Sequence, residues 1–259
     1  MAGDRKVALV TGAGAGIGEA SALELARSGS DLVIIDVRQP ELDRLAEEIR
    51  TLGRDVLSVP CDVGDDIGMA AAFEQVKQRF GRLDQVLVNA GINGMWAPIE
   101  EMTPDEWDRT IRVNLRGSYL TVHHAVPLMQ EHGGSIVIIS SVNGTRTFTT
   151  AGATAYSVTK AGQFAMGQML ALELSRFKIR VNVICPGSVK TRIVENTWRR
   201  NTEAAKIPVV YPNGTIPLTG NVPAVAEDIA RMVAFLCSDA ARHITGTPIW
   251  IDGGQSLLI

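Results

Sequence analysis

Thr11-Gly12-Ala13-Gly14-Ala15-Gly16-Ile17-Gly18 follows a short apolar run, Val7–Val10, and opens into a helix-like stretch near 17–29. Strand, glycine turn and helix in that order form the opening of a dinucleotide-binding unit. The glycines allow a tight turn and let the backbone approach a pyrophosphate, whose charge suits a helix N-terminus. The next apolar run, Leu32–Asp36, ends on a carboxylate placed to accept hydrogen bonds from adenosine ribose hydroxyls.

Working outward, the same alternation continues. Strands are expected at Val7–Val10, Leu32–Asp36, Val56–Cys61, Gln85–Asn89, Ser135–Ser140, Arg180–Cys185 and Pro248–Ile251, with helices near 17–29, 40–53, 65–80, 104–131, 155–176 and 224–238. Such a pattern predicts an α/β fold: a Rossmann-type, doubly wound, seven-stranded parallel sheet in a three-layer α/β/α single domain spanning 1–259. Thr103-Pro104-Asp105-Glu106 reads as an N-cap, an N1 proline and a capping glutamate, and Pro127 should kink or end that helix. From about 192 to 221 no strand is evident, and Pro208, Pro212, Gly214, Pro217 and Gly220 punctuate the stretch. A long irregular excursion after a strand end is expected to be a substrate lid.

Composition narrows the function. With 259 residues and 46% hydrophobic content the chain can bury a large core, while a net charge of −3 without a basic stripe gives no reason to expect nucleic acid. Apolar runs such as Ile136–Ile139 are too short to span a bilayer, and Asp4-Arg5-Lys6 precede no signal-peptide core, so no membrane association and a cytoplasmic location are expected. Cys61, Cys185 and Cys237 are odd in number and widely spaced, which fits buried free thiols. Adjacent His123 and His124 diverge on a helix and do not suit one metal ion, so no metal is expected.

Tyr156 and Lys160 put a phenol and an ammonium four residues apart on one helix face. Bringing a phenol from a pKa of ~10 to ~7 takes about 4 kcal/mol of preferential phenolate stabilisation; a lysine supplies part, and a cationic ring such as oxidised nicotinamide could supply the rest. A tyrosine so tuned is a general base.

Taken together, Thr11–Gly18, Cys61-Asp62-Val63, Asn89-Ala90-Gly91, Asn114, Ser141, Tyr156 with Lys160, Pro186-Gly187 with Thr191, and Thr245-Gly246 with Asp252-Gly253-Gly254 resemble the short-chain dehydrogenase/reductase (SDR) family from Val7 to Gly254. The resemblance implies an oxidoreductase with catalytic Asn114, Ser141, Tyr156 and Lys160, in which Ser140 is the fallback for Ser141. Tyr156 would exchange a proton with the alcohol, Ser141 would fix its oxygen, Lys160 would lower the phenol pKa and hold the nicotinamide ribose, and Asn114 would hold a relay water. It implies cofactor contacts from Gly12, Gly14, Ala15, Gly16, Ile17, Gly18, Asp36, Asp62, Val63, Asn89, Ala90, Gly91, Tyr156, Lys160, Pro186, Gly187, Val189 and Thr191. Homotetramers are common in this family, and the apolar tail Leu257-Leu258-Ile259 is compatible with an interface.

Asp36 bears on the choice of cofactor. A 2′-phosphate within about 4 Å of a carboxylate meets about 4 kcal/mol of repulsion at an effective dielectric of ~20, so NAD is expected over NADP, with Arg38 as a partial offset. Substrate walls are expected among Asn93, Met95, Trp96, Asn143, Phe148, Thr150, Ser188, Ile193, Trp198 and Tyr211. Asn93, Asn143 and Thr150 beside Trp96 and Trp198 suit a small-molecule secondary alcohol or ketone that is a polyol, sugar or cyclic compound. Two alternatives remain: an NADPH-dependent 3-oxoacyl-thioester reductase, against which Asp36 and Ala15 speak, and a cofactor-binding regulator without chemistry.

Overall fold

A computed structural model describes residues 5–211 and 214–258; Asp4, the lid's Pro212 and the tail's Ile259 lie outside the described residues. In chain order the elements are β1 (Val7–Thr11), α1 (Gly16–Arg27), β2 (Asp31–Asp36), α2 (Gln39–Thr51), β3 (Val56–Pro60), α3 (Asp66–Phe80), β4 (Gln85–Val88) and β5 (Gly94–Trp96). Then follow α4 (Pro104–Ile111), α5 (Gly117–Ala125), β6 (Gly134–Ile139), α6 (Thr154–Glu173), β7 (Ile179–Pro186), β8 (Thr197–Arg199), α7 (Ala226–Cys237) and β9 (Pro248–Ile251).

Seven strands form one parallel sheet in the order β3-β2-β1-β4-β6-β7-β9. Alternate strand residues feed two cores. Leu9, Val33, Val86 and Ile136 pack with Met69, Phe73 and Leu120 of α3 and α5, and Ala8, Ile34, Leu87 and Val137 pack with Leu25, Leu45 and Val233 of α1, α2 and α7. Because both faces are covered, the strands read as continuous apolar runs. The order reverses between β1 and β4, and in such sheets the crevice beyond the carboxyl ends at that switch point is where ligands bind.

The long helix expected over 104–131 is four segments. Its start carries the predicted capping box: Thr103 Oγ1 accepts from Glu106 N at 3.4 Å, and Thr103 N donates to Glu106 Oε2 at 2.9 Å. A π-helical turn over Arg112–Arg116 separates α4 from α5, and a 3₁₀ turn over Val126–Leu128, with Pro127 inside it, closes the helix. The lid also holds an unexpected strand. β8 pairs in parallel with β5, Met95 opposite Trp198, so the start of the lid is hydrogen-bonded to the body of the domain. Cys185 and Cys237 are buried free thiols, whereas Cys61 is only half-buried.

Candidate active site

The glycine turn after β1 is shaped by what lies against it. Gly12 and Gly16 have φ of 65° and 58°, in the left-handed region that glycine tolerates. Gly14 N donates to Asp36 Oδ2 at 2.9 Å, and a Cβ on Gly14 would sit 2.9 Å from Asp36 Cγ, so the carboxylate is folded against the turn. Gly18 lies beneath the turn, where a Cβ would strike the Gly12 carbonyl. Asn89 stitches the turn to the end of β4: its Nδ2 donates to Thr11 O at 3.0 Å and to Gly12 O at 3.2 Å.

Between these loops runs a trench of about 560 Å³, lined by Gly12, Ala15, Gly16, Ile17, Asp36, Asp62, Val63, Asn89, Ala90, Gly91 and Thr191. Its shape fits an extended dinucleotide: glycines floor one side, an acceptor carboxylate stands at the end of β2, and a Cβ on Gly16 would lie 3.2 Å from Thr191 on the other wall. Asp62 is held by Arg112 at 2.9 Å and accepts from Gly64 N. Arg38 reaches Asp36 at 3.4 Å but also Glu41 at 3.5 Å, which divides its charge between two acids.

A second cavity of about 350 Å³ adjoins the trench, the two sharing Ile17, Asn89, Gly91, Thr191 and Ile193. Ser141, Tyr156 and Lys160 line it, with Asn93, Trp96, Asn143, Thr150, Pro186, Gly187, Ser188 and Val189. Ser141 N-caps a short 3₁₀ turn after β6, its Oγ accepting from Asn143 N at 3.1 Å. Ser140 is instead committed to the fold, since its Oγ donates to Lys160 O at 2.7 Å. That leaves Ser141 as the serine beside the phenol.

Burial governs the charges here. The Tyr156 phenol is raised above its ordinary value by desolvation, with the Ser141 side chain pulling the other way. Desolvation lowers the Lys160 ammonium to about 8, and its Nζ donates to Ile139 O at 2.9 Å. The i, i+4 spacing predicts that lysine lowers the phenol directly. The structure differs: the ammonium lies 5.5 Å from the centre of the Tyr156 ring and is directed at a backbone carbonyl, so the burial of both groups prevails.

Asn114 lies in the π-helical turn, fully buried. Its Oδ1 accepts from Ile92 N at 2.8 Å, and its Nδ2 donates to Ile92 O at 2.8 Å and to Thr159 Oγ1 at 3.1 Å. Its main-chain oxygen accepts from Ser118 Oγ and Gln163 Nε2, at 2.6 and 3.0 Å. Both side-chain amide hydrogens and both lone pairs of the main-chain oxygen are therefore used, while the side-chain oxygen accepts one bond. Asn114 ties the loop after β4 to α6.

Several expected wall residues stand elsewhere. Trp198 lies outside the cavity with Arg109 stacked on its ring at 4.4 Å, and Phe148 is 72% exposed. Met95 and Tyr211 do not line it either. In their place is Gln255, directly after Asp252-Gly253-Gly254, a position the motif could have flagged. Among the described residues no cluster of three His, Cys, Asp or Glu could hold a metal ion, and no helix is long and apolar enough to cross a membrane.

The sequence profile described as Enoyl-(Acyl carrier protein) reductase matches residues 12–256. The chain belongs to the short-chain dehydrogenase/reductase family. Its members are oxidoreductases of CH–OH groups that bind a nicotinamide cofactor. A trans-4-hydroxycyclohexanecarboxylate dehydrogenase from Sinomonas cyclohexanicum is 37% identical, over 97% of this chain and 93% of that protein. The crystal structure of a 3-ketoacyl-ACP reductase from Sinorhizobium meliloti 1021 superposes with a TM-score of 0.93 at 49% identity, over 98% of this SDR chain and 100% of that one. A 3-ketoacyl-(acyl-carrier-protein) reductase from Brucella melitensis, solved with NADH, gives 0.84 at 31% identity, over 97% and 98% of the two chains.

Proposed function

We propose that this SDR interconverts a neutral secondary alcohol, cyclic or polyhydroxylated, and its ketone, with NAD as the preferred cofactor. One observation carries the reading: the cavity walled by Ser141, Tyr156 and Lys160 opens directly onto the trench that ends at Asp36. When bound, the nicotinamide supplies the hydride acceptor or donor and, when oxidised, a positive charge. Tyr156 Oη takes the hydroxyl proton in oxidation and returns it in reduction. Ser141 Oγ hydrogen-bonds the reacting oxygen and fixes its position. Lys160, anchored on Ile139 O, keeps a cation beside the phenol, and Asn114 holds the Gly91–Ile92 wall and α6 in register.

The walls are largely uncharged. Lys160 is the only charged side chain lining the catalytic cavity among the described residues, and Asn93, Asn143 and Thr150 supply uncharged polar contacts. The relative named for trans-4-hydroxycyclohexanecarboxylate supports a cyclic substrate, although that compound carries a carboxylate. Asp36, folded against the glycine turn, supports NAD. The segment over about 192–221 acts as the lid, its first residues lining both cavities. A homotetramer in the cytoplasm completes the reading, supported by the exposed apolar stripe Val158, Met169 and Leu172 on α6 and by the family's habit.

The 49% identity to a 3-ketoacyl-ACP reductase favours a second reading, reduction of an acyl-thioester ketone with NADPH. Against it, Asp36 stands at the end of the trench where NADPH would bring its 2′-phosphate. Absorbance of reduced cofactor decides. Cyclic alcohols and polyols with NAD and NADP are compared with acetoacetyl-CoA and NADPH or NADH, and a preference for the thioester with NADPH would replace the first reading with the second. Light scattering tests the assembly.

A further inference from the structure

The motif Asp252-Gly253-Gly254 is a turn with a purpose. Gly253 and Gly254 have φ of 58° and 83°, a pair of left-handed residues that sends the chain back toward β7. Asp252 locks the turn, its Oδ1 accepting from Gly254 N at 3.0 Å and its Oδ2 from Ser256 N at 2.9 Å. What the turn delivers is Gln255. Its side chain lines the catalytic cavity, and its Oε1 accepts from Ser188 N at 2.9 Å. Gly187 makes room, since a Cβ there would lie 2.7 Å from Gln255 Oε1.

The partner of that bond fixes which end of the amide is which. A backbone N–H only donates, so the atom facing Ser188 is the oxygen, and the free end of Gln255 is its NH₂ group. Asn93 is set the opposite way by the same logic. Thr197 Oγ1 gives its hydrogen to Ile193 O at 3.2 Å and so accepts from Asn93 Nδ2 at 2.8 Å, which leaves the Asn93 oxygen as the free end.

We propose that Gln255 is a specificity-determining residue whose NH₂ group binds a second oxygen of the substrate, remote from the reacting carbon. The substrate is then a cyclic ketone or alcohol bearing a further acceptor oxygen: a ketone, a ring ether or a hydroxyl. This assignment rests on the reading that the cavity holds the reacting alcohol or ketone. It makes the C-terminal turn part of the substrate wall.

Cyclohexanone and cyclohexane-1,4-dione separate the possibilities, because the second oxygen of the dione only accepts. Reduction of each with NADH is followed for wild type, Gln255→Glu and Gln255→Leu, with thermal melting and NADH titration verifying that the variants fold. Glutamate keeps an acceptor for Ser188 N and removes the donor. Relative to wild type, both variants should lower the ratio of kcat/KM for dione over monoketone about tenfold, chiefly through KM. If Gln255→Glu keeps the wild-type ratio, Gln255 only supports the Ser188 loop and the proposal falls. A wild type inert toward both ketones would overturn the cyclic-substrate reading, and this assignment with it.

Discussion

The ammonium of Lys160 stands 5.5 Å from the centre of the Tyr156 ring while donating to the carbonyl of Ile139. The two groups share one cavity wall, and desolvation moves each toward its neutral form: the phenol up, the ammonium down to about 8. The site is thus poised so that added positive charge favours phenolate. That links proton transfer at Tyr156 to occupancy of the adjoining trench.

Lys160 has a measurable cost in the fold. Its folded value, about 8, lies below the ordinary 10.5, so below pH 8 both folded and unfolded chains hold the proton and burial of the ammonium is fully opposed. Between pH 8 and 10.5 the folded chain sheds a proton the unfolded chain retains, so this contribution to stability rises, by roughly 3 kcal/mol across the window. Cys185 and Cys237, raised to about 11 and about 12, act in the opposite sense above pH 9, because their thiols ionise first in the unfolded chain. The difference between wild type and Lys160→Met cancels Cys237, and cancels Cys185 except for its direct coupling to Lys160. Urea denaturation should show the variant gaining on wild type at pH 7 and losing most of that advantage by pH 10.5; a pH-independent difference would mean the ammonium is not desolvated.

Tyr156→Phe removes the proton acceptor and leaves a ring of the same shape. Turnover should fall roughly 10²–10⁴-fold, the range of general acid–base contributions, with NAD affinity by fluorescence titration nearly unchanged. Near-normal turnover would sink the assignment of Tyr156 as the base.

Asp36→Asn removes the charge at the cost of one backbone bond, that from Arg38 N. Asparagine keeps an oxygen for Gly14 N and removes the negative charge that a 2′-phosphate would meet. The ratio of kcat/KM for NADP over NAD should rise about 100-fold, within the few kcal/mol expected for such a pair. An unchanged ratio, measured with one alcohol and both cofactors, would place the discrimination elsewhere, Arg38 being the next candidate.

The five central sheet strands were legible because each is an apolar run buried on both faces, the edge strands β3 and β9 being only partly buried, and all seven predicted strands end within one residue of the observed ones. β5 and β8 were not, since three residues carry no period and Gly94–Trp96 finds its partner about a hundred residues away. The π-helical turn at Arg112–Arg116 leaves no mark in an amphipathic pattern; it shows only in the backbone, where Gly117 N donates to Arg112 O five residues before it. Glycine loop, phenol and ammonium are local signals and were readable. Gln255 was missed and Trp198 was wrongly placed in the wall, because whether a side chain faces a cavity depends on the turn beneath it, which residue type alone does not encode.

Arg200 closes the start of the lid onto α4. It donates to both Glu106 oxygens, at 2.9 and 2.8 Å, and its backbone N donates to Trp96 O at 2.9 Å beside the β5–β8 ladder. Hydrogen bonding to Arg200, then to Thr103 N, holds the Glu106 carboxyl down at about 2, so the clasp stays charged at every pH above that value and lets go only as pH falls toward it. The pair is partly exposed, and a pair of that kind contributes little to global stability. Its effect should appear locally. Arg200→Met should leave the melting temperature nearly unchanged, raise the substrate KM about fivefold with a smaller change in kcat, and speed proteolytic cleavage within 192–221. Unaltered KM and cleavage would show that β5–β8 pairing alone holds this segment.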